Sequence, residues 1–268
     1  IKFSRSFLKG DLYLDKQRKL QIIQEVSRLQ INTRVNSTIF CRDDSFCSDY
    51  SSNSVLLVHG AAKDKNPIYQ SLLPAQILLR WQRVHSVSIH LRGVGLEGMK
   101  SNGNYNDPLI DKTEDILAGM IYVKKHYPDN NLHIVASSMN AVTTLLALDK
   151  IIELGINIKT LSLISPAAYP KGAESVPLGE EFSKIIRNPY KDLGSSPVFD
   201  IFEKFEDRKL VAYGDCDTTI PYEVQKRYKK LADIVFIGEN IDHSLGVSSH
   251  SVEFVLLYDI IAQIILSV

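Results

Sequence analysis

The sequence has little cysteine and no excess of charge. Its 268 residues include three cysteines, which are too few and too scattered for a disulfide framework or a zinc site. Cys41 and Cys47 could pair in an oxidising compartment, but a reducing cytoplasm is the simpler expectation. Lysine plus arginine equals aspartate plus glutamate at 31 each. Because the formal net charge is zero, no global field attracts nucleic acid or an acidic membrane, and no nucleic-acid partner is expected.

Long apolar runs are also missing. No uninterrupted apolar stretch is long enough to cross a bilayer, so no transmembrane segment is expected. No signal peptide is recognisable, although the chain begins at Ile1 rather than methionine, which leaves open a leader that was removed.

Short apolar runs alternate with longer amphipathic ones from about residue 55 onward. This alternation predicts an α/β fold with a mostly parallel central sheet and helices on both faces, in a single domain over residues 1–268. The predicted strands are Val55–His59, Val84–His90, Leu132–Ala136, Thr160–Ser165, Lys209–Gly214 and Ile234–Ile237. The predicted helices lie near Ile68–Gln82, Lys112–His126, Met139–Leu154, Tyr222–Leu231 and Val252–Leu266.

Residues 1–50 form a predicted N-terminal extension with edge strands. Within it, Gln17–Leu29 has helical spacing, and Thr38–Phe46 favours an antiparallel edge hairpin. The C-terminal helix is strongly apolar, which predicts packing on the sheet and is also compatible with a homodimer contact.

Ser138 lies at a predicted strand-to-helix corner. A serine at such a corner can be held in a strained backbone that exposes its hydroxyl. Asp217 and His243 each follow a later strand, so the chain carries a serine, an acid and a histidine in that order. Each residue has a simpler alternative: Ser138 as a helix N-cap, Asp217 as a cap of the next helix, and His243 as an ordinary loop histidine. Asp215 competes with Asp217 for the role of the acid.

Five stretches resemble motifs of the α/β-hydrolase superfamily, and together they run from about residue 54 to the C-terminus. They are the strand and His-Gly loop at Val55–Ala61, the Arg-Gly-x-Gly loop at His90–Gly95, the elbow at Ala136–Asn140, the acid loop at Gly214–Pro221 and the histidine loop at Asp242–Gly246. Each motif is weak alone, but the set is specific.

The resemblance implies a serine hydrolase that cleaves a carboxylic ester or thioester through a covalent acyl-serine intermediate. The implied triad is Ser138, His243 and Asp217, and the implied oxyanion hole is formed by the backbone N–H groups of Ala61 and Met139. This chemistry requires no metal or organic cofactor, and its partner is a small acyl ester or thioester. The alternatives are an acyltransferase with the same triad and an inactive binding protein that keeps the fold.

The elbow departs from the usual Gly-x-Ser-x-Gly pattern, because Ala136 and Asn140 replace the two glycines. Larger side chains crowd this turn, so the departure weakens the expectation of high activity rather than that of the fold. The Ala-Ser-Ser-Met-Asn-Ala run is similar to the Ala-Ser-Ser-Leu-Ser-Ala elbow of the acyl-ACP thioesterases of bacterial bioluminescence, in the elbow alone.

Proline and glycine interrupt the alternation between residues 167 and 207. In α/β-hydrolases a cap or lid is inserted at this point, before the strand that carries the acid, so the resemblance implies a small lid here. Its apolar side chains could line a pocket for an acyl chain or could only bury the insertion on its own domain, and the sequence leaves both open. The candidate substrate-binding residues are Phe182, Ile186, Phe199 and Phe202.

Gly93–Gly98 matches the Gly-x-Gly-x-x-Gly pattern of dinucleotide-binding folds. Such a fold places a helix directly after the pattern, with its N-terminus on the pyrophosphate. Here the following residues, 99–108, are rich in Ser, Asn, Gly and Pro, which predicts a loop. The pattern therefore does not indicate a nucleotide site.

Overall fold

A computed structural model describes residues 27–32, 38–44, 51–61, 71–95, 100–188, 191–245 and 251–268. Of the helix expected at Gln17–Leu29, residues 17–26 lie outside these ranges. The last three residues, Ser27–Leu29, lie in a strand, so the helix predicted from the spacing of apolar residues is wrong for them.

One mixed sheet contains all eight strands of the described ranges, in the order β1-β2-β4-β3-β5-β6-β7-β8. The strands are β1 Ser27–Asn32, β2 Thr38–Asp43, β3 Asn53–Val58, β4 His85–His90, β5 Asn131–Ser137, β6 Ile158–Ile164, β7 Arg208–Gly214 and β8 Ile234–Gly238. Strand β2 runs antiparallel to both β1 and β4, and every other neighbouring pair is parallel. The hairpin expected within Thr38–Phe46 is thus a single strand up to Asp43, and residues 45 and 46 fall outside the described ranges.

Seven α-helices flank the sheet in the part of the chain that is described. They are α1 Leu73–Trp81, α2 Thr113–His126, α3 Ser138–Glu153, α4 Glu180–Arg187, α5 Pro197–Lys204, α6 Tyr222–Leu231 and α7 Val252–Leu266. Residues 100–112, which follow the glycine-rich pattern, form bends and turns, as expected for a loop. None of the described helices is long and apolar enough to cross a bilayer.

Two apolar clusters cover the two faces of the sheet. Leu56 belongs to the cluster beneath α2, α3, α5 and α6, whereas its neighbour Leu57 belongs to the cluster beneath α1 and α7. Successive side chains of a strand point to opposite faces, so strands that are buried on both faces need continuous apolar runs. The C-terminal helix α7 contributes Leu257 and Ile261 to this second cluster, which confirms that it packs on the sheet.

The insertion between β6 and β7 packs on the domain. Helix α5 contacts α3 and α6, and its Phe199 and Phe202 are 1 % and 0 % exposed. Both rings lie against the ring of Tyr228, with centroid separations of 5.0 and 5.4 Å. These contacts make α5 part of the apolar core.

Candidate active site

The three predicted triad residues follow strands of the parallel part of the sheet. Ser138 comes directly after β5, Asp217 shortly after β7, and His243 after β8. Parallel strands end at the same edge of a sheet, so the fold brings these residues to one edge although they are far apart in the chain.

Ser138 occupies a strained turn. Its φ is +53°, in the left-handed region that residues with a Cβ atom disfavour. Ser138 is the first residue of α3, whereas Ser137 occupies the N-cap position without a side-chain capping bond. The Ser138 Oγ atom instead lies 2.9 Å from Nε2 of His243. The N-cap alternative therefore does not describe Ser138.

The other ring nitrogen of His243 faces Asp217. Nδ1 lies 2.9 Å from Oδ2 of Asp217, and Oδ1 of Asp217 accepts hydrogen bonds from the backbone N–H groups of Thr219 at 2.9 Å and Ile220 at 3.1 Å. Burial raises the pKa of Asp217, but the bonds from His243 and the two N–H groups outweigh it and hold the pKa below its usual value. The carboxylate is therefore ionised at neutral pH and keeps the Nδ1–H tautomer of the imidazole.

The loop that carries the histidine is fixed to the segments that follow β6 and β7. The Ser165 hydroxyl donates to the backbone carbonyl of His243 at 3.1 Å. A side chain at Gly214 would collide with the carbonyl oxygen of Ile241, so glycine is required for the close approach of the two loops. Asp215 is exposed, and its carboxylate accepts from the Ile241 N–H at 3.2 Å.

The loop after β3 lies beside the nucleophile. A Cβ atom at Gly60 would be 3.2 Å from Cβ of Ser138. Ala61, the next residue, is exposed, and its N–H donates to no group among the described residues. Met139 follows Ser138 in the first turn of α3, where backbone N–H groups have no partner within the helix. The predicted oxyanion-hole residues thus lie on the two segments that meet at Ser138.

Comparisons with solved structures identify this architecture. An esterase from Pyrococcus furiosus, Pf2001, superposes with a TM-score of 0.67 and 15 % identity over 95 % of this chain and 96 % of that chain. Est1E from Butyrivibrio proteoclasticus, with ferulic acid bound, superposes with a TM-score of 0.66 and 18 % identity over 89 % of this chain and 98 % of that chain. An α/β serine hydrolase homologue from Coxiella burnetii superposes with a TM-score of 0.61 and 15 % identity over 88 % of this chain and 96 % of that chain. The chain has the α/β-hydrolase fold. No family model and no curated protein sequence matches it.

His59 and Arg92 make hydrogen bonds that fix the loops after β3 and β4, next to the site. The Leu91 N–H donates to Nε2 of His59 at 3.2 Å, so the ring carries its proton on Nδ1, which donates to the Gly60 carbonyl at 2.5 Å. Burial, with some repulsion from His90, lowers the pKa of His59 to about 3, and the ring is neutral at pH 7. Arg92 donates from Nη2 to Asp115 at 2.9 Å. Both side chains therefore hold the loops that carry them, those after β3 and β4.

Asn140 has a contact that sequence reasoning missed. Its Nδ2 atom donates to the backbone carbonyls of His59 at 2.8 Å and Gly60 at 3.0 Å, across 81 and 80 residues of chain. The available signal was the residue type: an amide with two donors stands where the elbow pattern of α/β-hydrolases has glycine.

The candidate substrate-binding residues separate into two groups. Phe199 and Phe202 lie in the core against Tyr228. Phe182 is 5 % exposed and contacts the ring of Tyr169, with a centroid separation of 5.1 Å, and Ile186 is half-buried against the apolar cluster that also holds Phe199 and Phe202. An acyl pocket under the insertion therefore stays a prediction for Phe182 and Ile186, and the contacts of the other two are those of packing residues.

A second Ser-His-Asp arrangement lies elsewhere in the sheet. Oγ of Ser54 is 2.9 Å from Nδ1 of His85, and Nε2 of His85 is 2.8 Å from Oδ1 of Asp43. The three residues are 0 %, 1 % and 2 % exposed. Ser54 is the second residue of β3 and His85 is the first residue of β4, at the edge opposite Ser138. Because no substrate can reach a fully buried hydroxyl, this network is structural.

Proposed function

We propose that the protein is a serine hydrolase that cleaves a carboxylic ester or thioester through an acyl-Ser138 intermediate. The observation that carries the proposal is the continuous chain of hydrogen bonds from Ser138 through His243 to Asp217, with 2.9 Å at each step. Similar structures are named as esterases, and one holds ferulic acid, a carboxylic acid that an ester hydrolase would release. These names support an ester as the substrate.

Acylation begins with the hydroxyl of Ser138, which is a weak nucleophile until a base takes its proton. Nε2 of His243 accepts that proton as Oγ attacks the substrate carbonyl carbon, and the carbonyl electrons move to the oxygen. The ionised Asp217 stabilises the imidazolium that forms. The backbone N–H groups of Met139 and Ala61 receive the oxyanion.

The tetrahedral intermediate then collapses. The carbon–oxygen or carbon–sulfur bond to the leaving group breaks, and the imidazolium protonates the departing alcohol or thiol. Water then attacks the acyl-Ser138 ester while Nε2 of His243 takes a proton from it, and the imidazolium returns that proton to Oγ of Ser138 as the carbon–oxygen bond to the serine breaks. The products are a carboxylic acid and the free serine.

Active-site titration with a fluorophosphonate tests the proposal. We expect the wild type to be labelled once per chain and Ser138→Ala not to be labelled. Ser137→Ala is the matched control, because it removes the adjacent hydroxyl, which makes no capping bond. An unlabelled wild type would exclude the enzyme, and equal labelling of the wild type and Ser138→Ala would move the nucleophile to another residue.

A substrate series then identifies the leaving group and the acyl acceptor. Nitrophenyl esters of increasing chain length and the matching acyl thioesters are compared by kcat/KM. Addition of an alcohol as a competing acceptor separates hydrolysis from acyl transfer, because a transferase forms the new ester in preference to the free acid.

A further inference from the structure

The side chain of Asn140 joins the elbow to the loop after β3. Asn140 is the third residue of α3 and is 2 % exposed. Its Nδ2 atom donates to two consecutive backbone carbonyls, those of His59 and Gly60. One side chain thus connects the segment that carries Ser138 with the segment that carries Ala61.

The chemistry of the amide fixes its orientation. Rotation of the group by half a turn would place Oδ1 against two carbonyl oxygens, and none of these three atoms can donate a hydrogen bond. Oδ1 itself is buried and accepts no hydrogen bond from any described residue. A buried acceptor without a donor is unfavourable, so the two bonds made by Nδ2 are what hold this side chain.

The bond to Gly60 determines the direction of the next N–H. The carbonyl of Gly60 and the N–H of Ala61 belong to one planar trans peptide group and point in opposite directions. The Gly60 carbonyl is held on one side by Asn140 at 3.0 Å and by Nδ1 of His59 at 2.5 Å. The Ala61 N–H is consequently turned away from both donors.

We propose that Asn140 is a positioning residue for the oxyanion hole: through the carbonyls of His59 and Gly60, it holds the Ala61 N–H in the direction needed to receive the oxyanion. This inference rests on the proposed hydrolase function. In this elbow an amide replaces the glycine that the usual pattern has, and it binds the two segments together. Asn140 touches no substrate and acts only through the backbone of the neighbouring loop.

The inference predicts a specific loss in three variants. Asn140→Gly removes the amide and restores the usual elbow residue, Asn140→Leu keeps much of the volume without a donor, and Asn140→Asp places a carboxylate against the two carbonyls. We expect kcat to fall about 10²-fold in each, as for the loss of one oxyanion donor, with little change in KM. Thr143→Val is the matched control, because it removes a buried hydroxyl of the same helix that bonds to no described residue.

An inhibitor that mimics the tetrahedral intermediate tests the oxyanion hole directly. If Asn140 had only a structural role, the inhibition constant would not follow kcat/KM across the variants. Oγ of Ser138 adds to the carbonyl carbon of a trifluoromethyl ketone, and the ketone oxygen becomes an oxyanion. We expect its inhibition constant to rise in parallel with the fall in kcat/KM across the Asn140 variants, while Thr143→Val stays at the wild-type values.

The outcomes separate this inference from the proposed function. If the fluorophosphonate does not label the wild type, the hydrolase proposal fails. If the wild type is labelled and Asn140→Gly keeps wild-type kcat, or loses kcat without weaker binding of the ketone, the positioning role is overturned. Should Asn140→Asp fail to fold, Asn140→Gly and Asn140→Leu still give the decision.

Discussion

Nδ1 of His243 lies 2.9 Å from the carboxylate of Asp217, whereas Asp215, two residues earlier, binds the backbone N–H of Ile241. The geometry thus separates two aspartates that the sequence alone leaves in competition. We expect Asp217→Asn to lower kcat by about 10⁴-fold, because an amide at this position favours the wrong tautomer of the imidazole. Steady-state kinetics on an ester substrate measure the effect.

Asp215→Asn is the control for this comparison, since it keeps an acceptor for the Ile241 N–H. Its kcat should stay within a few-fold of the wild type. A loss in Asp215→Asn as large as that in Asp217→Asn would contradict the assignment of the acid.

Much of this site can be predicted from the sequence because the topology places it. The carboxyl ends of parallel strands meet at one edge, so a serine, an acid and a histidine that follow three such strands are candidates for contact. The bonds of Asn140 could not be predicted, because they depend on how closely the start of α3 packs against a loop about 80 residues earlier in the chain. Phe199 and Phe202 were equally ambiguous, since an apolar stripe does not reveal whether it faces a pocket or a neighbouring helix.

The buried network of Ser54, His85 and Asp43 should support stability and not activity. The side chain of Asn130 donates to Oγ of Ser54 at 2.8 Å, which leaves the Ser54 hydroxyl proton for Nδ1 of His85. Ser54→Ala leaves both partners without their bond, and we expect a loss of about 1–3 kcal/mol in the free energy of unfolding with unchanged kcat. Urea denaturation and ester kinetics check this, and a loss of fluorophosphonate labelling in Ser54→Ala would contradict it.

Asp43 should make the protein sensitive to acid. Burial raises the pKa of Asp43, but hydrogen bonds from His85, Tyr122 and Tyr127 outweigh it, so the folded-state pKa lies below the unfolded-state value. A lowered pKa stabilises the fold above the unfolded-state value, and this contribution is lost as the pH falls through the folded-state pKa. The wild type should therefore lose stability below about pH 4.

Other carboxylates titrate in the same range, so the comparison with Asp43→Asn isolates this residue. The variant should be less stable than the wild type at pH 7, and its disadvantage should shrink at pH 3. Urea denaturation at both pH values gives the two differences. An equal difference at the two pH values would show that the charge of Asp43 does not contribute.

The two groups of aromatic residues in the insertion should respond differently to truncation. Phe199→Ala removes a ring that packs on Tyr228, so we expect a loss of about 3–5 kcal/mol in stability with an unchanged preference for acyl chain length. Phe182→Ala should instead shift the chain-length profile of nitrophenyl esters if Phe182 lines the acyl pocket. An altered profile in Phe199→Ala alone would reverse the two assignments.

The left-handed backbone of Ser138 stores conformational strain at the residue that we propose as the nucleophile. A side chain in this conformation is disfavoured by roughly 1–2 kcal/mol, whereas glycine adopts it freely. A chain with glycine at this position would lack the proposed nucleophile and yet be harder to unfold. Thermal resistance and the proposed reaction therefore make opposite demands on the residue at position 138.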